Sequence, residues 1–367
     1  MMKNSDKEIS VYIHLPFCER KCLYCAFTSF VSSEDLQKEY IKHLLKEIEK
    51  FENGYKAKTI YFGGGTPSVL RLDLLEKIFD ALKTKFEIAT DAEITMEVNP
   101  NSVDEEKFKF YKKLGVNRLS IGIQSLNNKT LKKIGRLHTK EEALNKLKLA
   151  KRYFDNVSCD LILGLEKEKN VVKYAKKLIK FGVKHISCYM LEVHENTPLF
   201  NLVESKKYRP LNDEAVAKSY EKLRKFLKKQ HFNQYEISNF SLPNFESKHN
   251  LAYWSYDDYV GFGVSSHSFI HGVRYENSSV LNDYYEGKTY SETITNDKEI
   301  EERILLGLRC KNGVDLEKLK KMGYFLEKNE FFMQFLEKNI LKKENDKVYL
   351  NPNYYAVSDF IIEHLLP

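Results

Sequence analysis

The regular alternation of short apolar segments with helical segments is the feature that most limits how this chain can fold. Six segments have the length and pattern of strands, namely SVYIHL, KTIYFGG, AEITMEVN, NRLSIGIQ, VSCDLILGL and KHISCYML. Helical patterns lie between them, and several begin at Ser, Asp or Asn and end at Gly. Successive strand-helix units form parallel sheets with right-handed crossovers. Six units are too few for a closed eight-stranded barrel, so the sequence predicts an α/β fold with a partial, open, TIM-like β/α barrel.

The pattern changes after the sixth unit, which predicts two further regions. Residues 241–295 are rich in Tyr, Gly, Ser and Asn without a clean helical period, and this indicates loops with short strands. From residue 296 onwards, helical patterns surround a short hairpin, which is typical of a small domain resembling a winged helix. The predicted organisation is a barrel over residues 1–240, an extension over 241–295 and a mainly helical C-terminal domain over 296–367.

Composition and charge narrow the location and the partners. The N-terminal segment MMKNSDKEIS lacks the apolar part of a signal peptide, and no run of about 20 apolar residues occurs. We therefore expect a cytoplasmic protein without a transmembrane segment. The net charge is +7, but the lysines are scattered along helical patterns, as on solvated faces rather than nucleic-acid surfaces. No nucleic-acid partner is expected, while peripheral contact with an anionic membrane stays open.

Three cysteines follow the first predicted strand with the spacing C-x3-C-x2-C. They are Cys18, Cys22 and Cys25. In a reducing compartment such a cluster indicates a metal or redox site rather than disulfides. Four cysteines would complete a structural zinc site or a fully ligated iron–sulfur cluster, whereas three leave one metal position open. The alternatives are zinc completed by a histidine such as His14, and chance. The remaining cysteines are expected to be small buried residues: Cys159, Cys188 and Cys310.

Glycine and polar residues follow the carboxyl ends of the next predicted strands, where barrels of this class place their chemistry. The glycines of YFGGGTPS let a charged ligand approach the backbone, or form an ordinary tight turn. Glu97 and Gln124 can bond hydroxyl or ammonium groups, with surface solvation as the alternative for each. Arg136 can pair with a carboxylate. Asp160 lies in a largely apolar strand, where an unpaired acid is costly to bury, so a functional or paired role is favoured.

Together these motifs resemble the radical S-adenosylmethionine (SAM) superfamily and, within it, the oxygen-independent coproporphyrinogen III oxidase family. The resemblance covers about residues 11–270, through VYIHLPFC, GGGTP, EVNP, SIGIQS, IGRLH, DLILGL and GFGVSSHS. It implies that the three cysteines hold three irons of a 4Fe-4S cluster, and that the fourth iron binds SAM, whose cleavage gives a 5′-deoxyadenosyl radical. The SAM-contacting residues that it implies are Tyr12, Tyr24, Gly64, Gly65, Thr66, Glu97, Gln124, Arg136 and Asp160.

Two departures separate this chain from the oxidases of that family. The oxidases carry a fourth cysteine just after the first three, and a long N-terminal arm that closes over the site. Here Phe27 stands in the position of that cysteine, and only nine residues precede the first predicted strand. Both differences argue against decarboxylation of coproporphyrinogen.

The segment KHNLAYW has the pattern HNxxYW, which is similar to one in haem chaperones related to these oxidases. The resemblance implies that His249 binds haem, since imidazole is an axial ligand of haem iron, and that Tyr253 and Trp254 pack on the porphyrin. Without the resemblance, the pattern would indicate residues that cap and pack the end of the barrel. His267 and His271 are alternative contacts to haem or SAM.

The favoured hypothesis is therefore a haem chaperone on a radical SAM scaffold, which passes haem to respiratory or other haem-requiring proteins. The cluster and SAM would regulate dimerisation or transfer, or drive a further radical step, and a homodimer linked through the clusters is compatible with the resemblance. The second hypothesis is an oxygen-independent coproporphyrinogen III oxidase, and the third is a radical SAM enzyme with another substrate. Phe27, the absent arm and HNLAYW favour the first over the second.

Overall fold

The computed structural model describes residues 7–31 and 33–367, and a twelve-stranded sheet is the largest element within these ranges. The predictions made for the polar N-terminal segment fall in part on residues 1–6, which lie outside the described residues. Through Met190, the elements are β1 (Lys7–Leu15), β2 (Phe17–Cys18), β3 (Phe30–Val31), α1 (Glu34–Lys50), β4 (Tyr55–Gly64), α2 (Leu72–Lys85), β5 (Glu87–Val98), α3 (Glu105–Leu114), β6 (Arg118–Gln124), α4 (Asn128–Lys133), α5 (Lys140–Ala150), β7 (Asn156–Leu163), α6 (Val171–Lys180) and β8 (His185–Met190).

The six predicted strands are all present and form one parallel, open barrel. Strands β1, β4, β5, β6, β7 and β8 are neighbours in that order. Capping residues set the ends of the helices between these strands. The Ser33 hydroxyl accepts from the Leu36 N–H at the start of α1, and Gly115 ends α3 at a φ of 103°. The predicted fold class is confirmed.

Each barrel strand has one apolar face and one polar face. The apolar face packs under the helices, as where Phe62 stacks on Phe79 of α2 at 4.8 Å between ring centroids. The polar face lines the concave interior, where the Tyr61 hydroxyl donates to Glu97 across two strands. A closed barrel fills this space with branched apolar residues, so a polar interior leaves it available for chemistry. The interior residues include Tyr12, Thr59, Tyr61, Glu93, Thr95, Glu97, Arg118, Ser120, Ser158, Asp160, His185 and Ser187.

The remainder of the chain extends both edges of this sheet and adds a second, smaller one. The second sheet has three strands, all near the C-terminal end of the chain. The elements are α7 (Pro198–Glu204), α8 (Asp213–Lys229), β9 (Asn233–Gln234), β10 (Asn239–Ser241), α9 (Lys248–Trp254), β11 (Tyr259–Phe262), β12 (His267–Ile270), β13 (Val273–Asn277), α10 (Leu281–Tyr285), β14 (Thr289–Thr293), α11 (Asn296–Arg309), β15 (Val314–Asp315), α12 (Leu316–Lys321), α13 (Glu330–Glu337), β16 (Leu341–Glu344), β17 (Lys347–Leu350) and α14 (Ser358–Glu363). Short 3-10 helices cover Pro67–Val69, Pro100–Ser102, Leu326–Lys328 and Pro352–Val357.

The HNLAYW segment, for which a loop was predicted, forms the helix α9. The Ser247 hydroxyl caps it by accepting from the Asn250 N–H at 3.4 Å. Seven helical residues span fewer than two turns, too few for a helical period to be visible in the sequence. After α9, β11 pairs in parallel with β1 on the side opposite to β4, with Val260 beside Val11.

The C-terminal region from α11 onwards consists of helices around the small antiparallel sheet, which agrees with the predicted winged-helix-like class. The exact division into three domains stays a prediction. Within residues 7–31 and 33–367, no helix combines the length and the apolar character needed to cross a membrane.

Candidate functional site

The three cysteines of the C-x3-C-x2-C motif lie in one short segment after β1, where Cys18 ends β2 and Cys22 and Cys25 belong to the loop that follows. The Cys18 thiol is 3.5 Å from the Thr66 hydroxyl, and the Arg136 guanidinium donates to the Cys22 sulfur at 3.6 Å. The Cys25 N–H bonds the Cys22 carbonyl at 3.2 Å and closes the turn between them. This segment thus presents its thiols beside a hydroxyl and a cation that come from distant parts of the chain.

The cysteine thiols suit an iron–sulfur cluster better than a single metal ion. In the described ranges no three His, Cys, Asp or Glu side chains form a group that could hold a single metal ion. Burial raises the pKa of the Cys25 thiol, and electrostatic interaction with the neighbouring Cys22 and Cys18 thiols raises it further. Thiolates of a cluster bond different irons and lie further apart than ligands of one ion. Three thiols in one short segment beside a guanidinium fit such a cluster.

The glycine turn at the end of β4 packs directly against the backbone that precedes the cysteines. The Gly65 N–H donates to the Leu15 carbonyl at 2.9 Å, and the Thr66 N–H donates to the Phe17 carbonyl at 2.7 Å. A Cβ at Gly65 would lie 2.8 Å from the Phe17 backbone, and Gly64 has a φ of 104°. These glycines are therefore required by close approach and by conformation, beyond the needs of an ordinary turn.

Arg136 lies at the centre of a buried network above the barrel. Its guanidinium donates to the Gly122 carbonyl at 2.6 Å and to the Asn99 side-chain oxygen. The Asn99 amide in turn donates to the Thr66 hydroxyl at 2.8 Å. Burial raises the pKa of the Tyr24 hydroxyl, while the Arg136 charge opposes that shift. The cysteine segment, the glycine turn and Arg136 thus form one connected group.

Two carboxyl groups predicted for this site lie deeper in the barrel. Glu97 accepts from the Tyr61 hydroxyl at 2.7 Å, and Asp160 accepts from the Ser120 hydroxyl at 3.1 and 3.2 Å. Burial raises the pKa of Glu97 to about 7, and the Asp160 charge contributes to this rise. Burial likewise raises the pKa of Asp160. A cationic ligand beside Glu97 would favour its charged form and lower its pKa again.

Gln124 ends β6 in a backbone conformation that is uncommon for its residue type. Its φ is 64°, and the pairing of β6 with β7 shifts register between Gly122 and Gln124. Such strain tends to occur at ligand sites, where the backbone is held by its surroundings. The Gln124 side-chain amide nitrogen and the Arg136 guanidinium both lie beside Gly122, where a Cβ would come within 3.1 and 3.3 Å of them.

His249 lies in the barrel interior, with both ring nitrogens engaged. Nδ1 is 2.7 Å from the Thr59 hydroxyl and Nε2 is 2.9 Å from the Tyr253 hydroxyl. The imidazole stacks on Tyr61, with centroids 5.0 Å apart and planes inclined by 26°. Burial lowers the pKa of His249 to about 3, and the charge of Arg118 adds to this. The imidazole is therefore neutral at physiological pH, the form that binds metals.

The other residues predicted to contact haem lie apart from this stack. Trp254 faces the Arg309 guanidinium at 5.3 Å and borders a cavity of about 240 Å³ between α9 and the C-terminal elements. His267 and His271 are exposed and face Glu276 at 4.0 Å and Asp258 at 3.1 Å. The structure therefore joins Tyr253 to His249, whereas Trp254, His267 and His271 point elsewhere.

Several interior residues that hold this site were not singled out from the sequence. Asn99 bridges Arg136 and Thr66, and Tyr61 bridges Glu97 and His249. Glu93 accepts from the backbone N–H groups of Lys248 and His249 at 3.2 and 3.1 Å, at the start of α9. The available signal was the alternation of polar residues along each strand, which marks the interior face. Further such residues are Thr59 and Arg118.

Known proteins resemble this chain in sequence and in fold. The sequence profile described as the radical SAM superfamily matches residues 12–171. The protein named heme chaperone HemW of Lactococcus lactis subsp. lactis (strain IL1403) is 33% identical over 372 residues, with 98% of each chain covered. The heme chaperone HemW of Bacillus subtilis (strain 168) is 34% identical over 358 residues, covering 93% of this chain and 94% of that one.

Among solved structures, coproporphyrinogen III oxidase (HemN) from Escherichia coli, described as a radical SAM enzyme, matches with a TM-score of 0.85. The match covers 99% of this chain and 91% of that one at 19% identity, so it shows the common fold alone. The two HemW proteins are about a third identical to this chain along nearly their full length, which shows common family membership as well as a common fold. This chain belongs to the HemW family of radical SAM proteins.

Proposed function

We propose that this protein is a haem chaperone, which binds haem through His249 and delivers it to haem-requiring proteins of respiration in the cytoplasm or at the membrane surface. The observation that carries the proposal is the position of the HNxxYW histidine. His249 is a buried, neutral imidazole on an aromatic stack, next to the residues assigned to SAM. Proteins named heme chaperone HemW are about a third identical to this chain over nearly its whole length.

Haem binding requires a rearrangement around His249, which is only 1% exposed. Tyr253 occupies Nε2 at 2.9 Å, so its hydroxyl has to leave before iron can bind that nitrogen. The Thr59 hydroxyl at Nδ1 can stay, and by accepting a hydrogen bond from Nδ1–H it fixes the tautomer whose Nε2 lone pair is free. Tyr253 thus belongs to the same short helix as the ligand.

The cluster and SAM are assigned to the group above the barrel. Cys18, Cys22 and Cys25 would hold a 4Fe-4S cluster, and this cofactor pair supplies one-electron chemistry when bound. Arg136 would neutralise the SAM carboxylate. The remaining residues proposed to contact SAM are Tyr12, Tyr24, Gly64, Gly65, Thr66, Glu97, Gln124 and Asp160.

Haem binding is tested by titrating haem into the anaerobically reconstituted protein and following the Soret absorbance. His249→Ala should weaken binding at least about tenfold, since it removes the axial ligand. His267→Ala and His271→Ala serve as matched controls and should bind like the parent. If one of these controls loses binding while His249→Ala keeps it, the ligand assignment moves to that histidine.

Delivery and cluster assembly are tested separately. Mixing the haem-loaded protein with haem-depleted respiratory membranes should restore the cytochrome spectrum, and no restoration would contradict the chaperone role. Replacing Cys18, Cys22 or Cys25 by Ala should abolish the broad visible absorbance of the cluster, whereas Cys310→Ala should keep it. Size-exclusion chromatography with and without the cluster tests a cluster-linked homodimer. Conversion of coproporphyrinogen at a catalytic rate would replace the proposal by the oxidase.

A further inference from the structure

Tyr61 contacts both the site assigned to SAM and the residue assigned to haem. Its hydroxyl donates to Glu97 at 2.7 Å, while its ring stacks on His249 at 5.0 Å. Tyr12 lies on the same aromatic group, with its ring 6.2 Å from that of Tyr61 and 6.4 Å from that of His249. One side chain therefore spans the distance between the two sites without an intervening residue.

The glycine turn also reaches this side chain. A Cβ at Gly63 would lie 3.1 Å from the rings of Tyr12 and Tyr61 and 3.3 Å from the Glu97 carboxyl carbon. The first glycine of the turn thus covers the Tyr61–Glu97 contact closely. A ligand that binds to this turn and to Glu97 therefore has little room unless the Tyr61 side chain shifts.

We propose that Tyr61 is a positioning residue that couples occupancy of the SAM site to haem binding at His249. This inference rests on the proposed function. The ammonium or hydroxyl groups of SAM compete with the Tyr61 hydroxyl for the Glu97 carboxylate. Once Tyr61 loses this hydrogen bond, its ring no longer holds the aromatic stack around His249, so the Tyr253 hydroxyl can leave Nε2 and iron can bind there. SAM therefore strengthens haem binding, and by thermodynamic reciprocity haem strengthens SAM binding by the same factor.

The coupling is measured on the full-length, cluster-loaded protein by titrating haem with and without saturating SAM. In the parent, SAM should tighten haem binding about fivefold or more, the lower range of measured couplings. Tyr61→Phe keeps the stacked ring but removes the hydroxyl. It should bind haem without SAM as tightly as the parent binds it with SAM, and it should show less than about a twofold response to SAM.

Tyr55→Phe is the matched control, since Tyr55 lies on the same strand and donates to Glu52 at 2.5 Å. It should retain the full response. Reciprocity gives a second readout, because calorimetric titration of SAM should show haem-dependent affinity in the parent and not in Tyr61→Phe.

The outcomes separate this inference from the proposed function. If SAM does not change the haem affinity of the parent, or if it changes the haem affinity of Tyr61→Phe as much as that of the parent, the coupling is overturned. The chaperone role would stand in either case. A parent protein that binds no haem under any condition would overturn both. Equal weakening of haem binding with and without SAM in Tyr61→Phe would reduce Tyr61 to a structural residue and also overturn the coupling.

Discussion

Glu93→Gln is the substitution that should most selectively loosen the helix that carries the HNxxYW motif. The Glu93 carboxylate is buried, accepts from the Lys248 and His249 N–H groups, and lies 4.0 Å from the buried Arg118 guanidinium. An amide can keep one of the two N–H bonds but turns its NH₂ group towards the other donor. It also leaves Arg118 without this carboxylate.

The magnitude follows from these losses. One hydrogen bond to a charged group contributes about 1.5–3 kcal/mol, and breaking a buried ion pair from one side costs about 3–5 kcal/mol. Arg118 keeps the charge of Asp160 nearby, so the lower end of the ion-pair range applies. We expect the free energy of unfolding to fall by about 3 kcal/mol, which is more than a hundredfold in the unfolding equilibrium.

Urea denaturation measures this change, and the chain carries its own reporter. Trp254 is the single tryptophan and lies at the end of α9, so its fluorescence follows the affected helix. The matched control is Glu87→Gln on the same strand, because Glu87 is exposed and pairs with Lys56 at 3.5 Å. The control should change stability by less than about 0.5 kcal/mol. A Glu93→Gln variant as stable as this control would refute the role assigned to Glu93.

Three further predictions concern the glycine turn, acid stability and Arg136. Gly65→Ala should cost about 1–3 kcal/mol and also reduce cluster loading, since its Cβ meets the Phe17 backbone. Gly287→Ala, with a φ of 78° and open space, should lose only stability, and normal loading in both would contradict this reasoning. Burial lowers the pKa of His138 from 6.5 to about 4, so its contribution of about 3 kcal/mol is complete above pH 6.5 and is lost as the pH falls towards 4. Urea denaturation across this range should show a smaller pH slope for His138→Gln than for the parent or for the exposed control His267→Gln, and equal slopes would refute the assignment. Arg136→Lys should weaken SAM binding, measured by calorimetry, about tenfold or more while cluster absorbance persists, because an ammonium cannot reproduce the three contacts of the guanidinium; unchanged SAM affinity would remove Arg136 from the site.

The strands could be predicted from the sequence because their patterns are local. The lone acid in VSCDLILGL illustrates what alternation adds: Asp160 points to the polar interior, while Cys159 and Leu161 point to the apolar face. The expectation that such an acid is paired agrees with its bonds from the Ser120 hydroxyl. Local periodicity therefore carries information about the interior face as well as about the strand.

The surroundings of His249 could not be predicted in the same way. Its Nδ1 partner is Thr59, 190 positions earlier in the chain, and the carboxylate that holds the start of α9 comes from β5. Such contacts depend on how the sheet curves, which no local pattern records. The HNxxYW motif indicated that the histidine could bind haem. Its burial in the barrel and the hydrogen bonds at both of its nitrogens are visible only in the tertiary structure.

The pairing of β11 with β1 has a consequence for biosynthesis. Ser10, Val11, Tyr12 and Ile13 bond to residues 259–262, so one side of the first strand stays unpaired until some 250 further residues have left the ribosome. An exposed apolar strand edge promotes aggregation of nascent chains. A ribosome stalled near residue 240 should therefore hold a complete set of six parallel strands that is still dependent on cellular holdases, and release from them should coincide with emergence of the segment after HNLAYW.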